Sequence, residues 1–194
     1  MSDLGRVLVI LLAAANPAGI ALAYAAAAAI PTAQRAARVI AAALIASSLV
    51  GLLVLTRGGW LDYLRISPES FDIAAGLVFV IGAGQPLLLG SVAGRSPGRG
   101  ADWSWRAVVA PLALPLLAGP PLLAASVARA EHEGAATVLG AVVLVIAATG
   151  ALIVAARPVT AFARAPLLAA FTRATGALSI AIGLGMIVAG VRSV

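Results

Sequence analysis

Hydrophobic positions along the chain form six long uncharged runs, and all charged residues lie between or beyond them. The runs cover residues 7–34, 39–56, 73–94, 107–128, 134–156 and 174–191. The shortest contains 18 residues, and at a rise of about 1.5 Å per residue it spans about 27 Å, close to the hydrocarbon thickness of a bilayer. A soluble all-α bundle would need a polar face on each helix, whereas these runs are apolar all round. The pattern predicts an all-α integral membrane protein with six transmembrane helices.

The fourth run cannot form one continuous helix. Within it lie four prolines, Pro111, Pro115, Pro120 and Pro121. Each proline lacks a backbone N–H and disfavours the helical conformation in the residue before it. Irregular backbone is tolerated within a membrane only where it is buried in protein or lines a watery cavity. The run therefore predicts two half-helices that meet within the membrane beside a cavity.

The first run carries a similar interruption about nine residues after its start, near the middle of the predicted span. Its sequence there is Asn16-Pro17-Ala18-Gly19. Asparagine is a favoured N-cap and proline a favoured first helical residue, so this tetrapeptide indicates a helix start. The fourth run has a second such start at Gly119-Pro120-Pro121, because glycine is also an acceptable N-cap.

Helices that start in mid-membrane present unpaired N–H groups and the positive ends of their dipoles. Two such starts predict a binding site for an anionic group such as a carboxylate. The candidate substrate-binding residues are Asn16, Pro17, Ala18, Gly19, Gly119, Pro120 and Pro121. The alternative is that the prolines only kink the helices and that Asn16 makes an ordinary interhelical hydrogen bond.

Weak internal similarity suggests that the chain is a duplication. An offset of 100 aligns residues 47–57 with 147–157, and the two predicted helix starts align at an offset of 103. The predicted organisation is a first three-helix repeat at 1–94, an inter-repeat loop at 95–106 and a second repeat at 107–194, together forming one transmembrane domain. Three spans per repeat invert the second copy, which is the plan of many secondary transporters. The first and fourth helices are the broken ones in this scheme.

Glycines in the third and sixth runs predict close helix packing, because small residues let backbones approach. They are Gly76, Gly82, Gly84, Gly176, Gly183 and Gly185. Ser179 is expected to bond back to its own helix, and His132 to lie in a short solvated loop at 129–133.

Charge defines the predicted topology. The net charge of +6 comes wholly from arginine. Five arginines fall on the side of the two termini and eight on the other side, which places the eight in the cytoplasm and both termini outside. No aromatic and basic stripe indicates nucleic-acid binding.

The chemistry available inside the predicted spans is limited. The chain has no cysteine, and no carboxylate, histidine or arginine lies well inside a run, since Asp72 and Arg173 are at span ends. We therefore expect no catalysis, no metal site and no cofactor. A proton relay within the membrane is disfavoured for the same reason, whereas sodium held by backbone carbonyls stays open.

Four motifs together resemble the MarC family of bacterial inner-membrane proteins. They are residues 16–19, FDIAAGLVF at 71–79, APLALPLLAGPP at 110–121 and IGLGMIVAGV at 182–191. The resemblance implies six helices in two inverted repeats, the first and fourth unwound at these motifs, and export of small neutral amino acids. The chain departs from the family pattern at Leu22, Ala75 and Pro121.

The helix pattern, together with what this resemblance implies, predicts a multi-pass inner (plasma) membrane transporter that moves small neutral amino acids outward by alternating access. Its partners are membrane lipid and that substrate, and the sequence indicates no oligomeric state. The rival hypothesis is a membrane scaffold or partner-binding protein in which the interrupted helices only shape packing.

Overall fold

The computed structural model describes residues 3–20, 32–89, 108–155 and 165–193. Its elements are α1 (Asp3–Ala15), α2 (Thr32–Leu64), α3 (Pro68–Leu89), a π-type segment at Val108–Leu117, α4 (Pro120–Glu133), α5 (Ala135–Val154) and α6 (Ala165–Ser193). The described residues contain helices and turns but no strand. The all-helical prediction is therefore confirmed for this part of the chain.

Five of the described helical stretches are long and apolar enough to cross a membrane: Asp3–Ile20, Ala33–Leu64, Pro68–Leu89, Ala135–Val154 and Ala169–Ser193. Large aliphatic side chains on the outer faces of these helices are exposed, among them Leu44, Leu55, Ile81, Leu88 and Leu167. The fourth predicted run is not among the five, because it is divided between Val108–Leu117 and α4. The coarse prediction, several membrane-crossing helices, is confirmed.

Two predictions concern residues outside the described ranges. They are the inter-repeat loop at 95–106 and the departure from the family pattern at Leu22. The division into two repeats stays a prediction here.

A tight turn joins α2 to α3. Helix α2 ends at Leu64, after which Arg65 adopts a left-handed φ of 55°. The Arg65 N–H donates to Asp62 O and the Ile66 N–H to Leu61 O, the pair of bonds that defines a Schellman cap. Ser67 then caps α3 by accepting from the Ser70 N–H at 3.2 Å. The connection between α2 and α3 therefore consists of Arg65, Ile66 and Ser67 alone.

Helices α3 and α6 pack against each other in antiparallel fashion through glycines. A Cβ atom added to Gly76 would lie 2.5 Å from Gly183 O, and one added to Gly183 would lie 2.7 Å from Gly76 O. Towards one end Gly190 lies against Glu69 and Ile73, and towards the other Gly176 lies against Leu87. Gly84 and Gly185 face open space instead, so four of the six glycines predicted to pack closely do so.

Candidate functional site

The first candidate segment lies where α1 ends. Helix α1 stops at Ala15, Asn16 has a φ of 46°, and residues 17–20 form a new helical turn. Asparagine tolerates this left-handed conformation better than other residues with a Cβ atom. The Asn16 Oδ1 atom accepts from the Gly19 N–H at 3.3 Å, and the Asn16 carbonyl accepts from the Ile20 N–H at 3.2 Å. Asn16 therefore caps the turn that follows it.

Among the described residues, the Nδ2 half of the Asn16 amide has no partner. Asn16 is 6% exposed, and within the described ranges its Nδ2 atom is buried without a hydrogen bond. An amide nitrogen carries two donors, and an unsatisfied buried polar group costs about 1–3 kcal/mol. The Nδ2 group is therefore a donor available to a molecule that enters this region.

Pro17 also frees an acceptor in α1. The Ala13 carbonyl would normally accept from the N–H four residues later, but residue 17 is a proline and has none. The Ser179 hydroxyl from α6 donates to Ala13 O at 2.9 Å, and it lies 3.0 Å from Thr175 O in its own helix. The expected bond within α6 is present, and the contact with α1 is one that the sequence did not reveal.

Replacement of Ser179 by alanine tests this contact. We expect Ser179→Ala to lower the thermal unfolding temperature of the detergent-purified protein, because it leaves Ala13 O buried without a donor. Hydrogen bonds between membrane helices contribute about 0.6 kcal/mol on average, and this one also satisfies a freed carbonyl. Ser193→Ala is the control, since its hydroxyl bonds only Ala189 O in its own helix. Equal unfolding temperatures for the two variants would contradict the assignment.

The second candidate segment is shaped by its prolines. Ala110 and Leu114, the residues before Pro111 and Pro115, have extended conformations with φ/ψ of −133°/116° and −125°/123°. This is the conformation that a following proline imposes. Helix α4 then begins at Pro120, with Gly119 as an extended N-cap at φ −69° and ψ 155°.

Prolines reduce the number of amide donors at both helix starts. Pro17 occupies the first position after one cap, and Pro120 and Pro121 occupy the first two positions after the other. The Gly19 N–H is already bonded to the cap, which leaves Ala18 and Leu122 as the first-turn amides without a helical acceptor. The predicted cluster of backbone amides is therefore sparse, and the Asn16 side chain becomes the prominent donor.

One small cavity joins the two helix starts. Its volume is about 30 Å³, and it is lined by Asn16, Gly119 and Pro121. Four predicted site residues, Pro17, Ala18, Gly19 and Pro120, do not line it. A cavity needs about 10–15 Å³ of such space to hold one water molecule, so in this conformation it has room for water but not for an amino acid.

Helices α3 and α6 complete the cavity with residues that are not among the seven predicted substrate-binding residues. They are Phe79, Gly82, Ala83, Pro86, Gly176 and Ser179. Gly82 packs directly against Pro121, because a Cβ added to Gly82 would lie only 2.7 Å from Pro121 Cγ. Small residues in these runs were a sequence signal for close packing, and here the packing encloses the site.

The comparison with known families agrees with the motif resemblance. The model of the MarC family integral membrane proteins matches residues 1–194, which is the whole chain. The chain belongs to the MarC family of integral membrane proteins. No curated protein and no solved structure gives a significant match.

A charged cluster in this MarC-family chain corrects one prediction. Residues 129–133 do not form a loop, because α4 continues to Glu133 and ends at Gly134, whose φ is 83°. His132 Nε2 lies 2.7 Å from Asp72 Oδ2, and Arg129 lies 3.6 Å from Asp72 Oδ1. Asp72 and Arg129 are 4% and 8% exposed. The helix turn at residues 129–132 thus brings the Arg129 and His132 side chains onto Asp72 of α3, a pairing that only tertiary contact reveals.

Proposed function

We propose that this chain is a secondary transporter that exports small neutral amino acids by alternating access, with the substrate bound where the two interrupted helices meet. The observation that carries the proposal is the buried Asn16 Nδ2 donor at a cavity that Gly119 and Pro121 also line. The substrate carboxylate accepts from Asn16 Nδ2, with support from the positive end of the α4 dipole.

The helix ends around the cavity are matched to a zwitterion. The lining includes Ala13, Ala14 and Ala15, at the carbonyl end of α1, and Gly119 and Pro121, at the amino end of α4. Helix carbonyl ends favour cations and amino ends favour anions. An amino-acid ammonium group at α1 and its carboxylate at α4 would meet both preferences.

The lining favours a small, uncharged side chain. The described residues that line the cavity include no charged group, and most of them are glycine, alanine or proline. A charged substrate side chain would be desolvated there without a partner, which is strongly unfavourable. Glycine, alanine, serine and threonine are therefore the preferred candidates.

Helix contacts support the inverted repeat on which alternating access depends. Asn16 and Gly119 are 103 positions apart, as are Ile73 and Gly176, and Leu87 and Gly190. Gly176 packs against Leu87, and Gly190 packs against Ile73. The offset of 103 that aligns the two helix starts therefore also maps Ile73 onto Gly176 and Leu87 onto Gly190. It turns each of these two contacts into the other, as a twofold relation between the halves requires. In the proposed topology six spans place both termini outside the inner membrane.

The proposed cycle begins from a closed conformation. A cavity of about 30 Å³ between α1, α3, α4 and α6 must expand before it holds an amino acid. Relative movement of the two repeats would open it to one side at a time.

Thermal stabilisation by substrate tests the function. We expect glycine, alanine, serine and threonine at millimolar concentration to raise the unfolding temperature of the detergent-purified protein, because a ligand that binds only the folded state stabilises it. Their amides, which lack the carboxylate, should not. Efflux of the stabilising amino acid from proteoliposomes would then establish transport. Equal shifts with acids and amides would contradict a carboxylate site, and no shift at all would favour the scaffold hypothesis.

A further inference from the structure

A second cavity lies beside α1 and α6, away from the first. Its volume is about 350 Å³, large enough for part of a sizeable ligand. Two arginines line it, Arg6 from α1 and Arg129 from α4. The rest of its lining is apolar: Val9, Ile10, Leu178, Ile182, Gly185, Met186 and Ala189. It therefore combines a cationic part with an apolar wall.

The Arg129 guanidinium has an N–H donor, at Nε, that no described residue satisfies. Arg129 is 8% exposed, and its Nε atom is buried without a hydrogen-bond partner in the described part of the chain. Its contact with Asp72 Oδ1, at 3.6 Å, is longer than a hydrogen bond, and the other Asp72 oxygen is bonded to His132. A buried donor of this kind points to a ligand that accepts from it.

Arg6 adds a second positive charge next to the first. Its charge acts on Arg129 through space, as do those of Asp72 and Glu133. Arg6 is exposed, and within residues 3–20, 32–89, 108–155 and 165–193 it forms no hydrogen bond or ion pair. Glu131 is already paired with Arg57 at 2.6 Å. The described residues that line the cavity therefore include two arginines and no carboxylate.

The apolar wall extends away from the arginines along α6. Ser179 meets Ala13, seven residues beyond Arg6 in α1, so the charged end of the cavity lies towards Met186 and Ala189. From Ala189 back to Leu178 the helix rises about 16 Å. Leu178 is 44% exposed and Val9 is 42% exposed, so the wall opens to the outside of the helix bundle, where lipid chains lie in a membrane protein.

We propose that this cavity binds an anionic phospholipid, with the phosphate at Arg6 and Arg129 and one acyl chain along α6 between Ala189 and Leu178. Arginine binds phosphate oxygens through parallel hydrogen bonds. The apolar wall selects an amphiphile over a free anion, because only a lipid covers both parts of the cavity. The inference is independent of the transport proposal.

Lipid titration into the detergent-purified protein tests the proposal. The probes are phosphatidylglycerol, phosphatidylcholine with the same chains, and glycerol 3-phosphate, with bound lipid counted by native mass spectrometry. We expect one tightly bound phosphatidylglycerol, with phosphatidylcholine and glycerol 3-phosphate at least fivefold weaker. Equal binding of the two lipids would overturn the proposal, and tight binding of glycerol 3-phosphate would show a site for free phosphate instead.

Two variants locate the bound lipid. Arg6→Gln should weaken phosphatidylglycerol binding about fivefold, the factor for about 1 kcal/mol per arginine near an anionic headgroup. Arg65→Gln, at an exposed arginine in the α2–α3 turn, is the control and should leave binding unchanged. If both variants bind phosphatidylglycerol like the wild type, the assignment is wrong.

Gly185→Leu tests the apolar wall without disturbing the arginines. A Cβ at Gly185 meets nothing within 4 Å, so leucine fills the cavity while the helix packing is kept. We expect it to lower phosphatidylglycerol binding at least fivefold. Gly140→Leu is the matched control, because Gly140 also faces open space but lies in α5 outside the cavity. Unchanged binding by a folded Gly185→Leu protein would contradict the proposal.

Discussion

Asn16→Gly is expected to weaken the apparent affinity for the transported amino acid at least tenfold while the protein stays folded. Glycine accepts the φ of 46° at this position without strain. It is also an adequate N-cap, inferior to asparagine by only a few tenths of a kcal/mol. The variant therefore deletes the buried Nδ2 donor and changes little else in the backbone.

The expected effect is large because the lost bond is to a charged group. Hydrogen bonds to charged groups contribute about 1.5–3 kcal/mol, which corresponds to roughly a tenfold to hundredfold weaker apparent affinity. Uptake of radiolabelled alanine into proteoliposomes, measured as a function of concentration, gives this quantity. Ser126→Ala is the control, because Ser126 is fully buried in α4 but its hydroxyl already bonds Leu122 O at 2.7 Å. Wild-type transport by Asn16→Gly would show that the substrate lies elsewhere.

Leucine at position 16 would be a less informative change. A β-carbon with a bulky side chain in the left-handed region costs roughly 1–2 kcal/mol, and the cap for the Gly19 N–H would be lost as well. Loss of transport by Asn16→Leu could then come from local unfolding as well as from loss of the Nδ2 donor. Asn16→Gly removes the donor without the backbone strain.

Gly76→Ala is expected to destabilise the protein, because the added methyl group meets the backbone of the neighbouring helix. The new Cβ would lie 2.5 Å from the Gly183 carbonyl oxygen and 2.7 Å from Ile187 Cγ1. Ile187 can rotate away, but the carbonyl belongs to the helix backbone and moves only if α6 moves. Overpacking of this kind costs about 1–3 kcal/mol, and alanine's better helix propensity, about 1 kcal/mol, offsets part of it.

Thermal unfolding in detergent measures this cost against a matched control. Gly84→Ala lies in the same helix, with nothing within 4 Å of its added Cβ, so it should keep or raise the unfolding temperature. We expect Gly76→Ala to unfold several degrees below it. The reverse order would contradict the close backbone contact between α3 and α6.

Local sequence signals predicted the backbone features of the candidate site that neighbouring residues determine. Asn16-Pro17 forms a cap and a new helical turn, and the residues before Pro111 and Pro115 are extended, because both effects act within a few bonds. The α3 and α6 residues around the cavity escaped prediction, since they are far away in sequence and enter through helix packing. The contact of Ser179 with Ala13 spans 166 positions, so no local pattern could indicate it.

The charged cluster escaped prediction for a related reason. Arginine, glutamate and histidine at 129–133 are typical of a solvated loop between spans, yet they form the last turn of α4. Gly134, the next residue, ends the helix, and that one-residue connection to α5 leaves no length for a loop. Burial of Arg129 against Asp72 then follows from the packing of α4 on α3.

The Ser179 hydroxyl has one hydrogen and two carbonyl oxygens within reach, Ala13 O at 2.9 Å and Thr175 O at 3.0 Å. One acceptor lies on α1 and the other on the same helix as the serine. When the end of α1 moves away from α6, the hydroxyl can turn to Thr175 O and remain satisfied. Separation of the two helices therefore exposes a single unpaired carbonyl instead of an unpaired donor and acceptor together. A serine at this position therefore lowers the cost of separating α1 from α6, which the proposed alternating-access cycle would require.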